Sequence, residues 1–346
     1  MRGKKPGDLR FAVFGTGFWS KFQIAAWREL EGAECVALYN RTRSKAEARA
    51  QEFGIPGVYD DPEELINKED LDFIDIITDV DTHPQFVHLA AERGIPVICQ
   101  KPMAPTLGDA ESMVQECREA DTPLFIHENW RWQTPIRAVK AALDTGAIGA
   151  PFRARIDMIS GFPVFANQPF LKDLEQFILT DLGSHTLDVA RFMFGEASSL
   201  YCTTRRVHPD IQGEDVATVV LLTERDVTVV VEMAYAENFL ERERFPETFL
   251  FIEGSKGSIE LAPDHWLRVT TSEGTHARRV LTPRYAWADP AYDVVHASIV
   301  PCNADLLKVL RGEGAAETTG EDNLKTTRLV HAAYDSADAN AVILLD

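Results

Sequence analysis

The chain has 346 residues, of which 45% are hydrophobic and 26% charged, and its formal net charge is −19. This length favours two domains, because a single hydrophobic core stops growing beyond about 250–300 residues. The negative charge argues against a nucleic-acid or anionic-membrane partner, although a small-molecule pocket can differ in sign from the whole protein.

The five cysteines are scattered and form no C-x-x-C pair, which favours free thiols in a reducing compartment over a disulfide or zinc framework. No apolar run follows the basic residues 1–10, and no apolar stretch reaches the length of a membrane span. The sequence therefore predicts a cytoplasmic protein with neither a signal peptide nor a membrane anchor.

The first 128 residues alternate between short β-rich apolar runs and segments with helical periodicity. Strands are predicted at 9–15, 34–39, 71–78, 95–100 and 123–128, and helices at 18–30, 44–53, 60–66, 83–94 and 106–120. Capping boxes are expected at Ser44 with Glu47 and at Thr106 with Asp109. This alternation is typical of a doubly wound parallel sheet, so the fold class is α/β and residues 1–128 are expected to form a Rossmann domain.

The turn between the first strand and the first helix reads GTGFWS and places Gly15, Gly17 and Ser20 in a G-x-G-x-x-G frame. In such a turn the first glycine permits the tight bend, and the second lets the backbone approach a pyrophosphate at the helix N-terminus. Ser20 replaces the third glycine and is small enough for helix and strand to pack closely. The strand before it and the helix after it favour dinucleotide binding over a turn that serves chain reversal alone.

Asn40 and Arg41 follow the second strand, where an acidic residue would normally bind the adenosine ribose. Asparagine can hydrogen-bond a ribose hydroxyl without repelling a 2′-phosphate, and Arg41 or Arg43 can pair with that phosphate. The alternative is that Arg41 only stacks on adenine and NAD is used. The sequence therefore leaves NAD and NADP both open.

Residues 129–346 are rich in strands and predict an α+β domain with a largely antiparallel sheet. Strands are expected at 151–159, 199–207, 215–222 and 226–235, a hairpin at 248–261, and helices at 134–146, 179–195, 296–312 and 321–340. One face of such a sheet has to be covered by helices or by another copy of the chain.

The predicted helix at 179–195 contains Asp181 and His185, whose spacing of four places both side chains on one face. Thr180 is expected to cap this helix. A carboxylate that orients an imidazole suits proton transfer, because histidine titrates near neutral pH. A surface ion pair is the alternative. No metal site is expected, because neither an HExxH motif nor a second nearby histidine completes a ligand set.

Two further segments follow predicted strands of the Rossmann sheet. The segment ICQKP places Gln100 and Lys101 at a strand end, where the lysine either reaches solvent or performs chemistry. The segment HENWRWQ concentrates four side chains that suit a sugar at the domain junction: Asn129, Trp130, Arg131 and Trp132. Indole faces stack on sugar C–H groups, while Asn and Arg bind hydroxyls or a carboxylate. Interdomain packing of the tryptophans is the alternative.

The GTG turn, the QKP tripeptide and the DLGSH segment occur in an order that strongly resembles the glucose–fructose oxidoreductase, inositol dehydrogenase and rhizopine-catabolism (Gfo/Idh/MocA) family. The resemblance covers essentially the whole chain and extends to TDVDTHPQF and GSKGSIEL, although Asp79 stands where the family usually has proline. ICQKP and HENWRWQ together resemble the branch that holds D-apiose dehydrogenases.

The resemblance implies an NAD- or NADP-dependent oxidoreductase that transfers a hydride between nicotinamide and a hydroxyl-bearing carbon of a sugar or polyol. It implies that His185 is the acid/base, that Lys101 lies between nicotinamide and substrate, and that Asp181 binds or orients the substrate and His185. It places the following residues at the cofactor: Gly15, Thr16, Gly17, Phe18, Trp19, Asn40, Arg41, Thr78, His83, Gln100 and Lys101. It also implies a second-domain sheet with an open face that mediates homodimers or homotetramers.

Two other functions stay open at this point. Some relatives keep the fold and lose catalysis, so a nucleotide-binding regulator is one alternative. An enzyme that uses NAD transiently for epimerisation or glycoside cleavage is the other. Gln100 stands where the family usually has glutamate, and a neutral amide can hydrogen-bond but cannot hold the lysine charge.

Overall fold

The computed structural model describes residues 8–236 and 241–345, so most of the basic N-terminal segment considered above lies outside the described residues. The chain divides into two compact units. The first contains the described residues up to Glu128 together with Ile299–Thr327, and the second contains Asn129–Ser298 and the described residues from Arg328 onward. Residues 299–327, which the sequence assigned to the second domain, therefore pack with the first.

A parallel sheet of six strands lies at the centre of the first unit, in the order β3-β2-β1-β4-β5-β6. Its strands are β1 (Leu9–Phe14), β2 (Ala33–Tyr39), β3 (Gly57–Tyr59), β4 (Phe73–Ile76), β5 (Val97–Gln100) and β6 (Leu124–His127). The helices between them are α1 (Ser20–Trp27), α2 (Arg43–Phe53), α3 (Pro62–Lys68), α4 (His83–Ala91) and α5 (Leu107–Glu119). The strand order reverses direction between β1 and β4, which confirms the predicted doubly wound Rossmann fold and places a ligand crevice at that point.

The strands of this sheet are apolar along most of their length because both faces are covered. All of β4, β5 and β6 is buried. The predicted cap of α5 is confirmed, since Thr106 Oγ1 accepts a hydrogen bond from the Asp109 backbone N–H at 3.1 Å. The predicted capping box at Ser44 is wrong: α2 already begins at Arg43, so Ser44 lies inside the helix.

A segment from near the C-terminus covers the edge strand of this sheet. The Ile126 N–H donates to the Thr318 carbonyl at 2.9 Å, and Phe125 and Thr319 form an antiparallel bridge. An uncovered edge strand exposes unpaired backbone groups, so this pairing satisfies part of the β6 edge. It also gives the physical reason why residues 299–327 belong to the first unit.

A sheet of nine strands dominates the second unit, in the order β14-β13-β12-β11-β7-β10-β9-β8-β15. Its strands are β7 (Pro151–Ser160), β8 (Ala197–Arg205), β9 (Val216–Thr223), β10 (Thr228–Tyr235), β11 (Phe249–Gly254), β12 (Gly257–Ala262), β13 (Trp266–Thr271), β14 (Gly274–Arg279) and β15 (Ile343–Leu344). Strands β7 and β10 pair in parallel and the other pairs are antiparallel. The mostly antiparallel sheet is therefore confirmed, and the sequence missed its last three strands.

Five helices accompany this sheet or link the units: α6 (Thr134–Asp144), α7 (Val164–Asn167), α8 (Ser184–Phe194), α9 (Asp293–Leu310) and α10 (Gly320–Ala339). Helices α9 and α10 each contribute residues to both units. Within the parts of the chain that the structure describes, no helix combines the length and hydropathy that a membrane crossing requires.

Candidate active site

The glycine turn after β1 has the geometry that a bound phosphate requires. Gly15 has φ +101°, and a Cβ at this position would lie 2.6 Å from the Ile77 carbonyl oxygen. Only glycine fits such a close approach of the β1 and β4 chain ends. Gly17 is exposed, and a Cβ there would have no heavy atom within 4 Å, so its backbone faces open space. The Ser20 hydroxyl donates to the Gly17 carbonyl at 2.7 Å and closes the turn.

Asn40 connects this turn to the end of β2. Its Oδ1 accepts from the Thr16 backbone N–H at 3.3 Å, and its Nδ2 donates to the Thr42 carbonyl at 3.1 Å. The Thr16 hydroxyl is buried and has no hydrogen-bond partner among the described residues. Asn40 therefore holds the glycine turn in place, which sequence reasoning did not anticipate when it assigned this side chain to a ribose hydroxyl.

These residues fit the phosphates of a dinucleotide. Helix α1 starts at Ser20 directly after the turn and has no capping side chain among the described residues, so its first backbone N–H groups can serve an anion. The buried Thr16 hydroxyl adds a further donor beside the open face of Gly17. Of the two aromatic residues in the turn, Phe18 is 72% exposed, whereas Trp19 is partly buried.

Three arginines differ in how they are held near this turn. Arg43 forms ion pairs with Glu47 at 3.1 Å and Asp60 at 3.3 Å, whereas Arg41 is exposed. Arg49, which the sequence did not single out, donates from Nη2 to the Gly17 carbonyl at 3.2 Å. The helical periodicity of α2 contains no signal for this contact, because it depends on how α2 packs beside the turn.

The buried ring of His83 connects the segments that follow β4 and β5. Its Nε2 lies 3.2 Å from the Thr78 carbonyl oxygen, and its Nδ1 lies 3.1 Å from the Pro102 carbonyl oxygen. Burial lowers the pKa of His83, so the neutral ring is favoured. A neutral imidazole carries one N–H and therefore donates to one of these carbonyl groups and packs against the other. His83 thus lies between the backbone of Thr78 and the backbone of Pro102, which is next to Lys101. Lys101 itself is partly exposed and directly follows the buried Gln100 at the end of β5.

Asp181 lies in a π-helical turn, Leu179–Gly183, that precedes α8. The single α-helix predicted for 179–195 is therefore wrong in its first turn, and a four-residue step from Asp181 to His185 covers less than a full turn there. The predicted Thr180 cap is also wrong, because Thr180 N and Oγ1 both lie 3.2 Å from the Tyr334 hydroxyl. Single π turns inside helices occur frequently at functional sites.

His185 is 4% exposed and stacks on the Trp130 indole, with ring centroids 4.2 Å apart and an interplanar angle of 21°. The indole is fixed in turn, because Trp130 Nε1 donates to Thr248 Oγ1 at 2.9 Å. The imidazole plane is therefore held by packing. Near the same turn, burial and then the Asp181 charge raise the pKa of Tyr235.

Arg131 forms a buried ion pair with Asp188 on α8. Its Nε donates to Oδ2 at 2.7 Å and its Nη2 to Oδ1 at 2.5 Å, with side-chain exposures of 6% and 0%. Asn129 and Trp132, the other two residues of this segment that were predicted to bind a sugar, have different partners in the second unit. Asn129 Nδ2 donates to Ser298 Oγ at 2.7 Å, and the Arg137 guanidinium lies 3.7 Å from the Trp132 ring centroid.

The predicted site residues are thus divided between the two units. The first unit brings together the glycine turn, Asn40 and Arg49, and separately Thr78, His83 and the segment after Lys101. The second brings together His185 and Trp130, with Arg131 bound to the same helix. Sequence reasoning missed Arg49, Thr248 and Asp188 as partners. Within the described residues, no group of three or more His, Cys, Asp or Glu side chains could hold a metal ion.

The family models match both units. Residues 9–128 match the oxidoreductase family with an NAD-binding Rossmann fold, and residues 136–260 match the GFO/IDH/MocA C-terminal domain. The chain belongs to the Gfo/Idh/MocA oxidoreductase family. Membership confirms the resemblance inferred from the three motifs, the NAD-binding character of the first unit and the enzyme class.

Two relatives in this family cover nearly the whole chain. A D-apiose dehydrogenase from Paraburkholderia graminis is 44% identical over 94% of this chain and 87% of its own length. A second, from Rhizobium rhizogenes, is 42% identical over 95% of each chain. A solved structure of an oxidoreductase from Agrobacterium radiobacter, in complex with NAD+, L-tartaric acid and magnesium, is 41% identical with a TM-score of 0.95, over 97% of this chain and 98% of that one.

Proposed function

We propose that this member of the Gfo/Idh/MocA family is an NAD(P)-dependent sugar dehydrogenase whose substrate is D-apiose. The substrate assignment rests on the similarity to two D-apiose dehydrogenases from different bacteria, which are 44% and 42% identical over 94% and 95% of this chain. The stacked Trp130–His185 pair supports the dehydrogenase activity, because the buried indole holds a ring that can take up a proton in a fixed plane.

The protein residues supply proton transfer and positioning in this proposal. A bound nicotinamide would supply the hydride acceptor. His185, whose ring plane is held by Trp130, takes the proton from the substrate hydroxyl as the hydride leaves the carbon that bears this hydroxyl. The Lys101 ammonium group polarises the same oxygen, and Asp181 orients the substrate and the imidazole. The glycine turn, Thr16 and the first turn of α1 hold the phosphates.

A sugar panel with purified protein tests this function directly. We expect formation of reduced nicotinamide cofactor with D-apiose and little with D-xylose or myo-inositol. We expect Lys101→Ala to lose turnover by about a hundredfold or more while it still binds the cofactor, because proton transfer and polarisation typically contribute 10²–10⁴-fold. A fully active Lys101→Ala variant would contradict the mechanism.

The same panel separates the two alternatives. Cofactor binding without turnover on any sugar, together with a tight protein partner, would favour a regulator. Sugar conversion without net reduced cofactor would favour transient use of NAD in epimerisation or glycoside cleavage. The cytoplasmic location expected from the cysteine pattern stays a prediction.

We also propose a homo-oligomer that covers the outward face of the large sheet. A row of partly exposed side chains crosses that face in register: Phe251, Arg155, Val230, Val220 and Tyr201. Phe251 is 41% exposed, which is typical of an interaction surface when such residues adjoin one another. Light scattering of Phe251→Glu should show dissociation, and an unchanged mass would contradict this interface.

A further inference from the structure

A chain of polar side chains crosses the otherwise apolar interior of the first unit and ends at Gln100. Asp75 on β4 is 0% exposed, and its carboxyl oxygens accept from Gln23 Nε2 at 2.8 and 2.9 Å. The same carboxyl group accepts from Trp27 Nε1 at 2.8 Å. Gln23 Oε1 in turn accepts a hydrogen bond from Gln100 Nε2. Neither Asp75 nor Gln23 belongs to a motif of the sequence.

The carboxylate fixes the direction of this chain. Above about pH 7 the Asp75 carboxylate is mostly ionised. An ionised carboxylate only accepts hydrogen bonds, so it requires the NH₂ end of the Gln23 amide. The oxygen of Gln23 is then turned toward Gln100, which has to present its own NH₂ group. Gln100 Oε1 is therefore left as an acceptor at the carboxyl end of β5, next to Lys101.

Burial of this carboxyl group is costly, so its presence needs an explanation beyond packing. Residues on either side of Asp75 in β4 are apolar and 0% exposed, and an apolar side chain at this position would avoid the desolvation of a charge. The carboxyl group lies on the interior side of a hydrogen-bond path that leads to the predicted cofactor site. Directional control of Gln100 is a role that an apolar residue could not perform.

We propose that Asp75 and Gln23 are positioning residues that hold the Gln100 carbonyl oxygen as an acceptor for a hydroxyl group of the bound dinucleotide. This inference rests on the proposed function, because it assumes that the carboxyl end of β5 faces the cofactor. It predicts that glutamate at position 100 is incompatible with Asp75. Glutamate has no N–H group for Gln23, and a flipped Gln23 amide would point its oxygen at the Asp75 carboxylate.

A double-mutant cycle tests this chain, with Gln100→Glu, Asp75→Asn and the double variant. Gln51→Glu on α2 is the control for the same chemical change at an exposed position. Burial raises the pKa of Asp75 to about 7, so all measurements are made at about pH 8.5, where the carboxylate is mostly ionised. The thermal midpoint is measured without cofactor or sugar, and kcat and the cofactor KM are measured with the active substrate.

Gln100→Glu should lower the thermal midpoint by several degrees and raise the cofactor KM about tenfold with a smaller change in kcat. The double variant should recover most of both losses, because the new amide at position 75 can donate to a flipped Gln23, which then donates to the new carboxylate at position 100. Asp75→Asn alone should raise the cofactor KM, since the chain can then reverse and present the Gln100 NH₂ group. Its midpoint at this pH should rise, because the substitution removes a buried carboxylate whose ionisation costs the folded state stability above about pH 7.

Additive effects in the double variant would overturn the proposal, and so would a Gln100→Glu variant as stable as Gln51→Glu. If Gln100→Glu does not fold, recovery of folded protein in the double variant supports the chain, and a double variant that also fails to fold overturns it. The thermal measurements need no activity. A failure of the proposed function would therefore be distinguished from a failure of this hydrogen-bond chain.

Discussion

The buried carboxyl group of Asp75 should make the stability of the first unit depend on pH. Burial raises the Asp75 pKa from its ordinary value of 3.8 to about 7, against the opposing effect of hydrogen bonds from Trp27 and Gln23. A folded-state pKa above the unfolded value means that the fold favours the protonated acid. This stabilisation is fully present below pH 3.8 and is lost as pH rises through about 7.

The magnitude follows from the shift. A rise from 3.8 to about 7 corresponds to about 4 kcal/mol in total, of which about 2–3 kcal/mol should be lost between about pH 5 and pH 8. The titratable groups whose pKa responds to the Asp75 charge include the thiols of Cys35 and Cys99. Desolvation raises the pKa of both thiols, so neither titrates in this range.

Urea unfolding of the parent and of Asp75→Asn at about pH 5 and about pH 8 measures this contribution to stability. The free energy of unfolding of the parent should fall relative to the variant as pH rises, and exposed Asp70→Asn serves as the control. The difference between the profiles matters more than either absolute value, since a chain with two compact units need not unfold in one step. Parallel profiles for Asp75→Asn and the parent would refute the reasoning.

Two further substitutions test one interaction in each unit. Asp188→Ala should lower the free energy of unfolding by about 3–5 kcal/mol, because it removes the buried carboxylate that pairs with Arg131 and lies 3.9 Å from Arg191. Asp144→Ala, which removes the exposed ion pair with Lys140, should cost about 0.5 kcal/mol or less. Urea unfolding measures both variants, and equal losses would contradict the importance of the buried ion pair. Arg41→Ala should weaken NADP+ binding about tenfold and leave NAD+ binding unchanged if a 2′-phosphate is bound. Arg43→Ala, already paired with carboxylates, is the matched control, and equal titration curves for both variants would argue against a 2′-phosphate contact at Arg41.

The sequence was sufficient for features that depend on local patterns. Alternating strands and helices predicted the parallel sheet, and the GTG turn lay where a tight bend was required. Thr106 capped α5 as expected, because a capping box involves residues only three apart. Such features can be predicted because the interacting groups are close in sequence and each feature has a distinctive residue composition.

Other features depend on contacts between distant residues, which no local pattern reports. The π turn at Asp181 contains the same apolar spacing as an ordinary helix, so periodicity did not reveal it. The return of residues 318 and 319 to the edge of β6 depends on a free strand edge nearly two hundred positions earlier. Asn40 was assigned to the ribose, and its hydrogen bond to Thr16 became visible only when β2 and the glycine turn were placed side by side.

The pairing of Arg131 with Asp188 also bears on the charge of the substrate. The sequence left an acidic sugar open, with Arg131 as the partner of its carboxylate. In the structure Arg131 is 5% exposed and two of its nitrogens donate to Asp188, so a substrate carboxylate would have to displace a buried partner. Giving up this buried ion pair costs about 3 kcal/mol or more, which corresponds to about a hundredfold in kcat/KM.

We therefore expect a neutral aldose to be preferred over the corresponding uronic acid by about that factor. Steady-state kinetics with matched pairs of neutral and acidic sugars measures this preference at constant ionic strength. The control is Arg137→Ala, which removes a nearby guanidinium that stacks on Trp132 and should leave the preference unchanged. Equal use of both sugars by the parent protein would show that Arg131 leaves Asp188 on binding, and the neutral-substrate argument would fail.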